Sequence, residues 1–191
     1  MKYHEAAEKL AGYRQQIADV RRKMRETQAA AEPQLVTDYT FATPAGEVRL
    51  SDLFGDQRDL IVIHNMGTSC PNCTLWADGF NGIYHHLADR AAFVVSSPDP
   101  PELQRQFAQS RGWGFPMVSH AGTTFAADMG YRSERGGWLP GASVFRRDGD
   151  RILRVSDTGL LAPGDDFCAL WHFFDLLPDG AGDWQPKFGY R

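Results

Sequence analysis

Apolar residues recur in alternating steps of three and four along the first part of the chain. The series consists of Tyr3, Ala6, Leu10, Tyr13, Ile17, Val20 and Met24. This spacing places them on one side of an α-helix for about three heptads. We therefore predict an amphipathic helix over residues 3–28, ended by Pro33, within an N-terminal segment of residues 1–32. A heptad seam is typical of helices that recruit a partner or a second subunit, so the chain is a candidate for homodimer formation.

The pattern becomes extended after this proline. Residues 39–50 predict a short strand, a turn and a second short strand, and residues 51–55 predict one helical turn. Leu60-Ile61-Val62-Ile63-His64 is a run with three consecutive β-branched residues at its centre, which is typical of a strand buried on both faces. A hairpin is therefore expected to lead into the centre of a sheet.

Helical and extended segments alternate through the remainder of the chain. After residues 60–64 we predict a loop, a helix over 75–87 and a strand over 91–95, which together form a βαβ unit. The other predicted elements are a helix at 102–110, strands at 115–118, 142–145 and 151–155, and a final helix at 165–177. Residues 33–178 are thus predicted to form one α/β domain, with a mixed central sheet flanked by helices. In residues 179–191 we expect an irregular tail pinned to the surface by its aromatic side chains.

The charge of the chain limits the classes of partner it binds. The 191 residues carry a formal net charge of -4, yet basic residues are concentrated in the predicted N-terminal helix. We interpret Arg21-Arg22-Lys23-Met24-Arg25 as a solvated helix face, because no motif that reads nucleic acid accompanies it. A helix needs about 18 consecutive apolar residues to span a bilayer, and no apolar run in the sequence is that long. We expect neither nucleic acid nor membrane as a partner, and the charged residues that follow Met1 predict a cytoplasmic location.

The candidate chemistry lies between the central strand and the helix that follows it, in Cys70-Pro71-Asn72-Cys73. In a reducing compartment such a pair is typical of redox or metal chemistry. At a helix start, Cys70 faces unpaired backbone N–H groups and the positive end of the helix dipole, which both favour the thiolate. Pro71 fits the first helical position, and Cys73 lies one turn deeper. We therefore predict Cys70 as the nucleophile and Cys73 as the resolving thiol.

Metal binding is the main alternative for a pair of cysteines with this spacing. A structural zinc ion needs four ligands, and the chain has no second CxxC, so His85 and His86 are the nearby candidates. We predict no metal and no tightly held cofactor. Cys168 lies in an apolar segment, where a free cysteine usually behaves as a small core residue.

The order of strand, CxxC, helix and a later proline before a strand resembles the thioredoxin superfamily. More closely, the chain resembles a bacterial thioredoxin-like domain-of-unknown-function family described as predicted dithiol-disulfide oxidoreductases. The resemblance covers nearly the whole chain and implies a thioredoxin-like fold with the N-terminal helix and hairpin added. It also implies a protein or small-molecule disulfide as substrate and a cellular thiol as reductant. The motifs that carry it are Asp38-Tyr39-Thr40-Phe41, Leu50-Ser51-Asp52-Leu53-Phe54, Cys70-Pro71-Asn72-Cys73, Ala77-Asp78-Gly79-Phe80, His86-Leu87, Gly112-Trp113, Pro140-Gly141-Ala142-Ser143-Val144-Phe145 and Phe174-Asp175-Leu176-Leu177-Pro178.

Members of that superfamily carry a cis-proline beside the active thiols and, in some cases, a buried acid that moves the proton of the resolving thiol. Pro140 and Pro116 compete for the first role, and we favour Pro140 because it introduces the strand that turns at Asp148-Gly149. For the second role Asp78 follows Cys73 on the same helix, and Asp128 is the other candidate, although a helix-surface charge is the more usual role for such an acid. These residues are predicted to support the site.

Two further hypotheses compete with dithiol exchange. Peroxiredoxins resemble this fold, but they hold the reactive cysteine in a Pro-x-x-x-Thr-x-x-Cys context. The matching positions are Ile63 and Gly67 before Cys70, and Met66 and Cys70 before Cys73, so neither thiol has the proline and the hydroxyl. The other alternative is a non-enzymatic protein whose binding surface responds to oxidation of the pair.

Substrate contacts are the least specific part of the sequence prediction. Thr68 stands in the loop before the first cysteine, and Trp113 lies between two glycines. We predict both as candidate substrate-binding residues, although a large aromatic residue such as Trp113 more often fills the edge of a core.

Overall fold

A single long helix makes up the N-terminal unit of the chain, Met1–Gln34. In the computed structural model, which describes residues 1–190, this helix, α1, spans Tyr3–Ala30. It covers the predicted range and extends two residues beyond it. The carboxylate of Glu5 accepts a hydrogen bond of 3.1 Å from the backbone N–H of Lys2, one of the groups that a helix start leaves unpaired. None of the residues of α1 is buried.

Among residues 1–190, eight strands form one mixed sheet. In chain order they are β1 (Gln34–Val36), β2 (Thr40–Thr43), β3 (Gly46–Arg49), β4 (Asp59–His64), β5 (Ala92–Ser97), β6 (Met117–Ser119), β7 (Gly141–Asp148) and β8 (Arg151–Leu160). Across the sheet the order is β1-β8-β7-β4-β5-β6-β2-β3. β5 is parallel to β4 and β6, whereas β7 is antiparallel to β4 and β8, and β2 is antiparallel to β6 and β3. The predicted hairpin is therefore confirmed as β2–β3.

Helices flank this sheet, as predicted. They are α2 (Pro71–Arg90), α3 (Pro101–Arg111), α4 (Phe125–Asp128) and α5 (Ala169–Phe174), and a 3₁₀ turn spans Asp52–Phe54. The succession β4–α2–β5 confirms the predicted βαβ unit. Along residues 1–190 no helix combines the length and the apolar character that crossing a bilayer requires.

The final helix is shorter than predicted. We expected it over residues 165–177, but α5 contains only Ala169–Phe174. The carboxylate of Asp165 accepts hydrogen bonds from the backbone N–H groups of Phe167 and Ala162, at 2.6 and 3.2 Å. These bonds stabilise a turn in place of the first helical residues, as an aspartate often does. Pro178 lies just beyond the C-terminal end.

The hydrophobic core lies on both faces of the sheet. Leu60 and Val62 of β4 belong to one cluster of buried side chains, and Ile63 belongs to the other. This alternation follows from the two-residue repeat of a strand, and it confirms that β4 is buried on both sides. On the Ile63 face, α2 contributes Trp76 and Phe80 to the cluster. The strand before the candidate cysteines is thus fixed in the middle of the domain.

The C-terminal tail is irregular and contacts the domain through aromatic rings, as predicted. The ring of Trp184 lies 5.7 Å from that of Trp171 and 5.0 Å from that of Phe174, measured between centroids. Phe188 packs against Phe107 of α3 at 6.2 Å. The tail is therefore held by edge-to-face aromatic contacts of the kind that stabilise surface segments.

Candidate active site

Cys70 ends the loop that connects β4 to α2 and is the N-cap residue of that helix. Pro71 follows at the first helical position, where its missing N–H costs no hydrogen bond, as predicted. The backbone of Cys70 is extended (φ -97°, ψ 107°), and its sulfur accepts a hydrogen bond from the backbone N–H of Cys73 at 3.1 Å. The sulfur therefore takes the place that a serine or aspartate oxygen usually occupies at a helix start.

The surroundings of the two thiols separate their acidities. The pKa of Cys70 is lowered to about 6, first because the thiol of Cys73 donates a hydrogen bond to its sulfur, and further by the backbone N–H groups of Cys73 and Asn72. Burial opposes this shift without cancelling it. The pKa of Cys73 is raised, first by that same hydrogen bond and then by burial, and its side chain is only 4% exposed. The half-buried Cys70 is thus the thiolate at neutral pH, and Cys73 keeps its proton.

This arrangement has the chemical parts that thiol-disulfide exchange requires. An attacking thiolate must be reachable, and Cys70 is partly exposed. A second thiol must lie near enough to displace the product, and Cys73 lies within hydrogen-bonding distance of Cys70. Neither cysteine is bonded to another in this structure.

The loop before Cys70 is held by two side chains. The side-chain oxygen of Asn65 accepts a hydrogen bond from the N–H of Gly67 at 2.8 Å, and the carboxylate of Asp99 accepts one from the N–H of Thr68 at 2.7 Å. Gly67 has a φ of +106°, and a Cβ atom there would lie 3.0 Å from a carboxylate oxygen of Asp99. The position therefore requires glycine both for its conformation and for the close approach of Asp99.

Sequence reasoning missed Asp99, although one signal for it was present. Asp99 follows β5, and β5 is the parallel neighbour of β4, the strand that leads to Cys70. The carboxyl ends of parallel strands meet at one edge of a sheet, so polar residues after two such strands come together. The segment Ser96-Ser97-Pro98-Asp99 carries this signal.

We expect Asp99→Ala to slow disulfide exchange by Cys70 about tenfold with the fold retained, because misplacing a reacting group by about 1 Å is enough for such losses. Asp99→Asn keeps an oxygen that accepts the Thr68 N–H and is expected to stay near the wild-type rate. The rate constant with a small aromatic disulfide measures the effect. Asp89→Ala, which removes an exposed carboxylate from α2, is the matched control. Equal rates for Asp99→Ala and Asp89→Ala would contradict the role of Asp99.

The two acidic candidates have partners of their own. The carboxylate of Asp78 pairs with Arg111 and accepts a hydrogen bond from the indole N–H of Trp113 at 2.8 Å. The carboxylate of Asp128 accepts hydrogen bonds from the hydroxyls of Tyr39 and Thr124, at 2.7 and 2.6 Å. These contacts favour a structural role for both acids, Asp78 by joining α2 to α3.

The two substrate-binding candidates line one small cavity beside the loop. Thr68, Thr74 and Trp113 belong to its wall. Trp113 is only 9% exposed and packs against Phe115, with ring centroids 5.3 Å apart. The same indole also borders an open groove of about 250 Å³ between α3 and β6. Trp113 is thus a core residue with one edge that faces two cavities.

The surroundings of Cys168 differ from those of the redox pair. It is the N-cap residue of α5 and is buried among the side chains that pack under α2. Burial raises the pKa of its thiol, which makes it less reactive. Within residues 1–190 no group of three or more histidine, cysteine, aspartate or glutamate side chains is arranged to hold a metal ion.

A polar layer beneath the site was not foreseen from the sequence. His64, the last residue of β4, lies 2.9 Å from the hydroxyl of Ser143, measured from Nε2, and its ring stacks on Tyr131. Nδ1 of His120 lies 2.8 Å from the hydroxyl of Ser96. Burial holds the pKa of His64 well below its usual range and lowers that of His120 to about 4. Both rings are therefore neutral at pH 7 and act as buried hydrogen-bonding groups.

Comparison with known protein families identifies the family of this chain. Residues 3–189 match the family model described as "Bacterial protein of unknown function (DUF899)". The chain belongs to this family. The result confirms the expected membership of a bacterial family of unknown function. Among curated proteins no sequence matches this DUF899 protein significantly.

Several solved structures similar to this DUF899 protein are peroxiredoxins. Peroxidoxin BcpB from Mycobacterium tuberculosis is 30% identical, with a TM-score of 0.52 over 63% of this chain and 80% of that one. Peroxiredoxin Q from Xanthomonas campestris is 19% identical, with a TM-score of 0.56 over 69% of this chain and 86% of that one. Reduced Prx3 from Vibrio vulnificus, solved in complex with H₂O₂, is 14% identical, with a TM-score of 0.54 over 71% of this chain and 87% of that one. The DUF899 protein thus has the predicted thioredoxin-like fold.

The prediction that Pro140 or Pro116 is cis is wrong, since residues 1–190 contain no cis peptide bond. Each proline precedes a strand, and its carbonyl takes part in strand pairing: that of Pro140 accepts the N–H of Leu161, and that of Pro116 accepts the N–H of Val95, both at 3.0 Å. A trans peptide bond fits the extended backbone that leads from each proline into its strand. Pro140 nevertheless lines a small cavity together with Cys73.

Proposed function

We propose that this DUF899 protein is a thiol-disulfide oxidoreductase in which Cys70 is the nucleophile and Cys73 the resolving thiol. The observation that carries the proposal is the position of the Cys70 sulfur at the start of α2, where it accepts the N–H of Cys73 and has a pKa of about 6. Cys73 is buried and has a raised pKa. Cys70 is thus ionised and can attack a disulfide, while Cys73 keeps its proton until the mixed disulfide has formed.

The reaction exchanges two electrons between dithiols and disulfides. The Cys70 thiolate attacks a disulfide R–S–S–R′, forms a mixed disulfide with RS and expels R′S⁻, which takes a proton from water. Cys73 then gives its proton to solvent water, attacks the Cys70 sulfur and expels RS⁻, which takes up a proton from water. The pair is left oxidised, and a cellular dithiol returns two electrons in the same steps run backwards. The substrate is a protein or small-molecule disulfide, the proposed location is the cytoplasm, and no tightly held cofactor takes part.

Trapping the mixed disulfide tests this assignment. We expect Cys73→Ser to accumulate a stable adduct of one equivalent on Cys70 after treatment with a small aromatic disulfide, because no resolving thiol remains. Intact-protein mass and peptide mapping identify the modified residue. Cys70→Ser should give no such adduct, and Cys168→Ser should behave as the wild type does. An adduct on Cys168, or none in Cys73→Ser, would refute the proposal, and the second result would favour the redox-responsive binding protein.

A second candidate function is peroxide reduction, which the similarity to peroxidoxin BcpB favours. The Cys70 thiolate, H₂O₂ and a proton would give a sulfenic acid and water. The Cys73 thiol would then condense with the sulfenic acid to give the disulfide and a second water. We rank this function below dithiol exchange because neither cysteine has the Pro-x-x-x-Thr-x-x-Cys context. Rapid conversion of Cys73→Ser to a sulfenic acid by micromolar H₂O₂ would reverse the order.

A further inference from the structure

The apolar side of α1 remains exposed along its whole length. Its large side chains show between 48% and 90% of their surface, with Leu10 and Tyr3 at the two limits. The spacing of the series follows the a and d positions of a heptad repeat, and a stripe this narrow is typical of a seam that meets another apolar surface. We call this series, Tyr3, Ala6, Leu10, Tyr13, Ile17, Val20 and Met24, the α1 seam.

The charges that border the α1 seam all have one sign. The positions next to it, e and g of the heptads, include five basic residues and no acid: Lys2, Lys9, Arg14, Arg21 and Lys23. Acidic residues of α1 lie on the outer side of the helix, where Arg22 pairs with Asp19 and Glu26 at 3.1 and 3.6 Å. The seam is thus apolar in the middle and positive along both edges.

This charge pattern argues against two α1 helices pairing with each other. In a parallel pair, Lys9 of one helix meets Arg14 of the other across the g–e′ positions, and in an antiparallel pair basic residues again face basic residues. Like charges at these positions destabilise a coiled coil and decide which partner it accepts. The α1 seam therefore fits a surface that is apolar and acidic.

The C-terminal part of the same chain has a surface of that kind. Phe173 lies in the last turn of α5, and Leu176 and Leu177 lie in the turn that follows the helix, where the N–H of Leu176 donates to the carbonyl of Phe173 at 3.1 Å. The three side chains are 66%, 72% and 53% exposed. From Ser156 to Pro186 the chain contains six aspartates and no lysine or arginine. Five of these aspartates are exposed, namely Asp157, Asp166, Asp175, Asp179 and Asp183, and the last three follow Phe173 in the chain. We call Phe173, Leu176, Leu177 and these three aspartates the acidic patch.

We propose that two copies of this chain form a dimer by reciprocal docking, in which the α1 seam of each copy covers the acidic patch of the other. Each chain carries one seam and one patch, so a two-fold symmetric pair makes the same seam–patch contact twice. Apolar burial supplies the affinity, and the bordering charges select the partner and the orientation. This inference is independent of the proposed redox function.

Charge reversal separates this dimer from a coiled coil. Both Lys9→Glu/Arg14→Glu in the seam border and Asp175→Lys/Asp179→Lys in the patch are expected to weaken dimerisation about a hundredfold, measured by sedimentation equilibrium at low salt. An equimolar mixture of the two variants should recover a dimer that contains one copy of each, because every seam then faces a patch of opposite charge. Arg22→Glu/Arg25→Glu makes the same charge change on the outer side of α1 and should leave the dimer intact.

Three results would overturn the proposal. A wild-type chain that stays monomeric at about 100 μM has no such interface, since most specific dimers form well below that concentration. A dimer that the patch variant leaves unchanged is held by another surface, a coiled coil of α1 included. A mixture of the two variants that stays monomeric shows that seam and patch do not meet. Far-ultraviolet circular dichroism of each variant confirms that α1 remains helical.

Discussion

Alkylation of Cys70 by iodoacetamide is expected to rise about tenfold between pH 5 and pH 7 and then to level off, because a thiol with a pKa of about 6 is about one-tenth ionised at the first pH and nine-tenths at the second. An unperturbed thiol has a pKa of about 8.5, so its alkylation rate would continue to rise above pH 7. Cys73 and Cys168 should stay unmodified in the folded protein, because both are buried and have raised pKa values. Peptide mapping at each pH gives the three rates.

Variants of Cys73 test the cause of this shift. Cys73→Ala removes the donor that lowers the pKa of Cys70 most, so the midpoint of the profile should move to higher pH. Cys73→Ser keeps a hydroxyl donor and should move it less. Cys168→Ser changes a buried thiol that does not contribute to the lowered pKa of Cys70 and should leave the midpoint where it is. A wild-type midpoint near pH 8.5 would show that the helix start does not activate Cys70, and the proposed function would lose its basis.

Gly141→Ala is expected to destabilise the fold by at least about 3 kcal/mol, the upper end of what overpacking of a core costs. A Cβ atom at Gly141 would overlap the ring of Tyr131 and lie 2.6 Å from the carbonyl oxygen of Gly159. Neither neighbour is free to move. The hydroxyl of Tyr131 donates to the carbonyl of Ala142 at 2.9 Å, and its ring stacks on His64. Gly141 itself pairs with His64 and with Leu160, so β7 is fixed from both sides.

Gly82→Ala is the matched control for this substitution. Gly82 lies within α2, and a Cβ atom there would have no neighbour within 4 Å. Alanine should stabilise the helix by about 0.5–1 kcal/mol, because it loses less backbone entropy than glycine. Urea denaturation measures both variants. A Gly141→Ala midpoint equal to that of the wild type would mean that β7 and β8 yield more easily than their packing indicates.

The parts of the site that local sequence determines were predicted well. A continuous apolar run predicted β4, and the cysteine pair with Pro71 predicted the start of α2, because each depends on neighbours a few residues away. The assignment of Cys70 as the more acidic thiol follows from the same local geometry. The predicted hairpin at β2–β3 is similarly local.

Contacts between distant segments could not be predicted in this way. Asp99 acts on the loop before Cys70 only because β5 lies beside β4. The layer of His64 and His120 requires β4, β5 and β7 to meet with the residue that follows β6. The spacing of Asp78 from Cys73 suggested a proton-transfer role, but Arg111 and Trp113, which lie on another segment, hold its carboxylate. Separation along the chain therefore did not predict a side chain's hydrogen-bond partner where that partner lies on a distant segment.

The position of β4 has a consequence for biosynthesis. β4 pairs with β5 on one edge and with β7 on the other, and β7 comes much later in the chain. While the protein is being made, Cys70 and Cys73 are therefore present before the strand that completes their support. An unpaired strand edge attracts other strands, so the nascent chain carries both a reactive thiol and an open edge until Gly141–Asp148 has emerged.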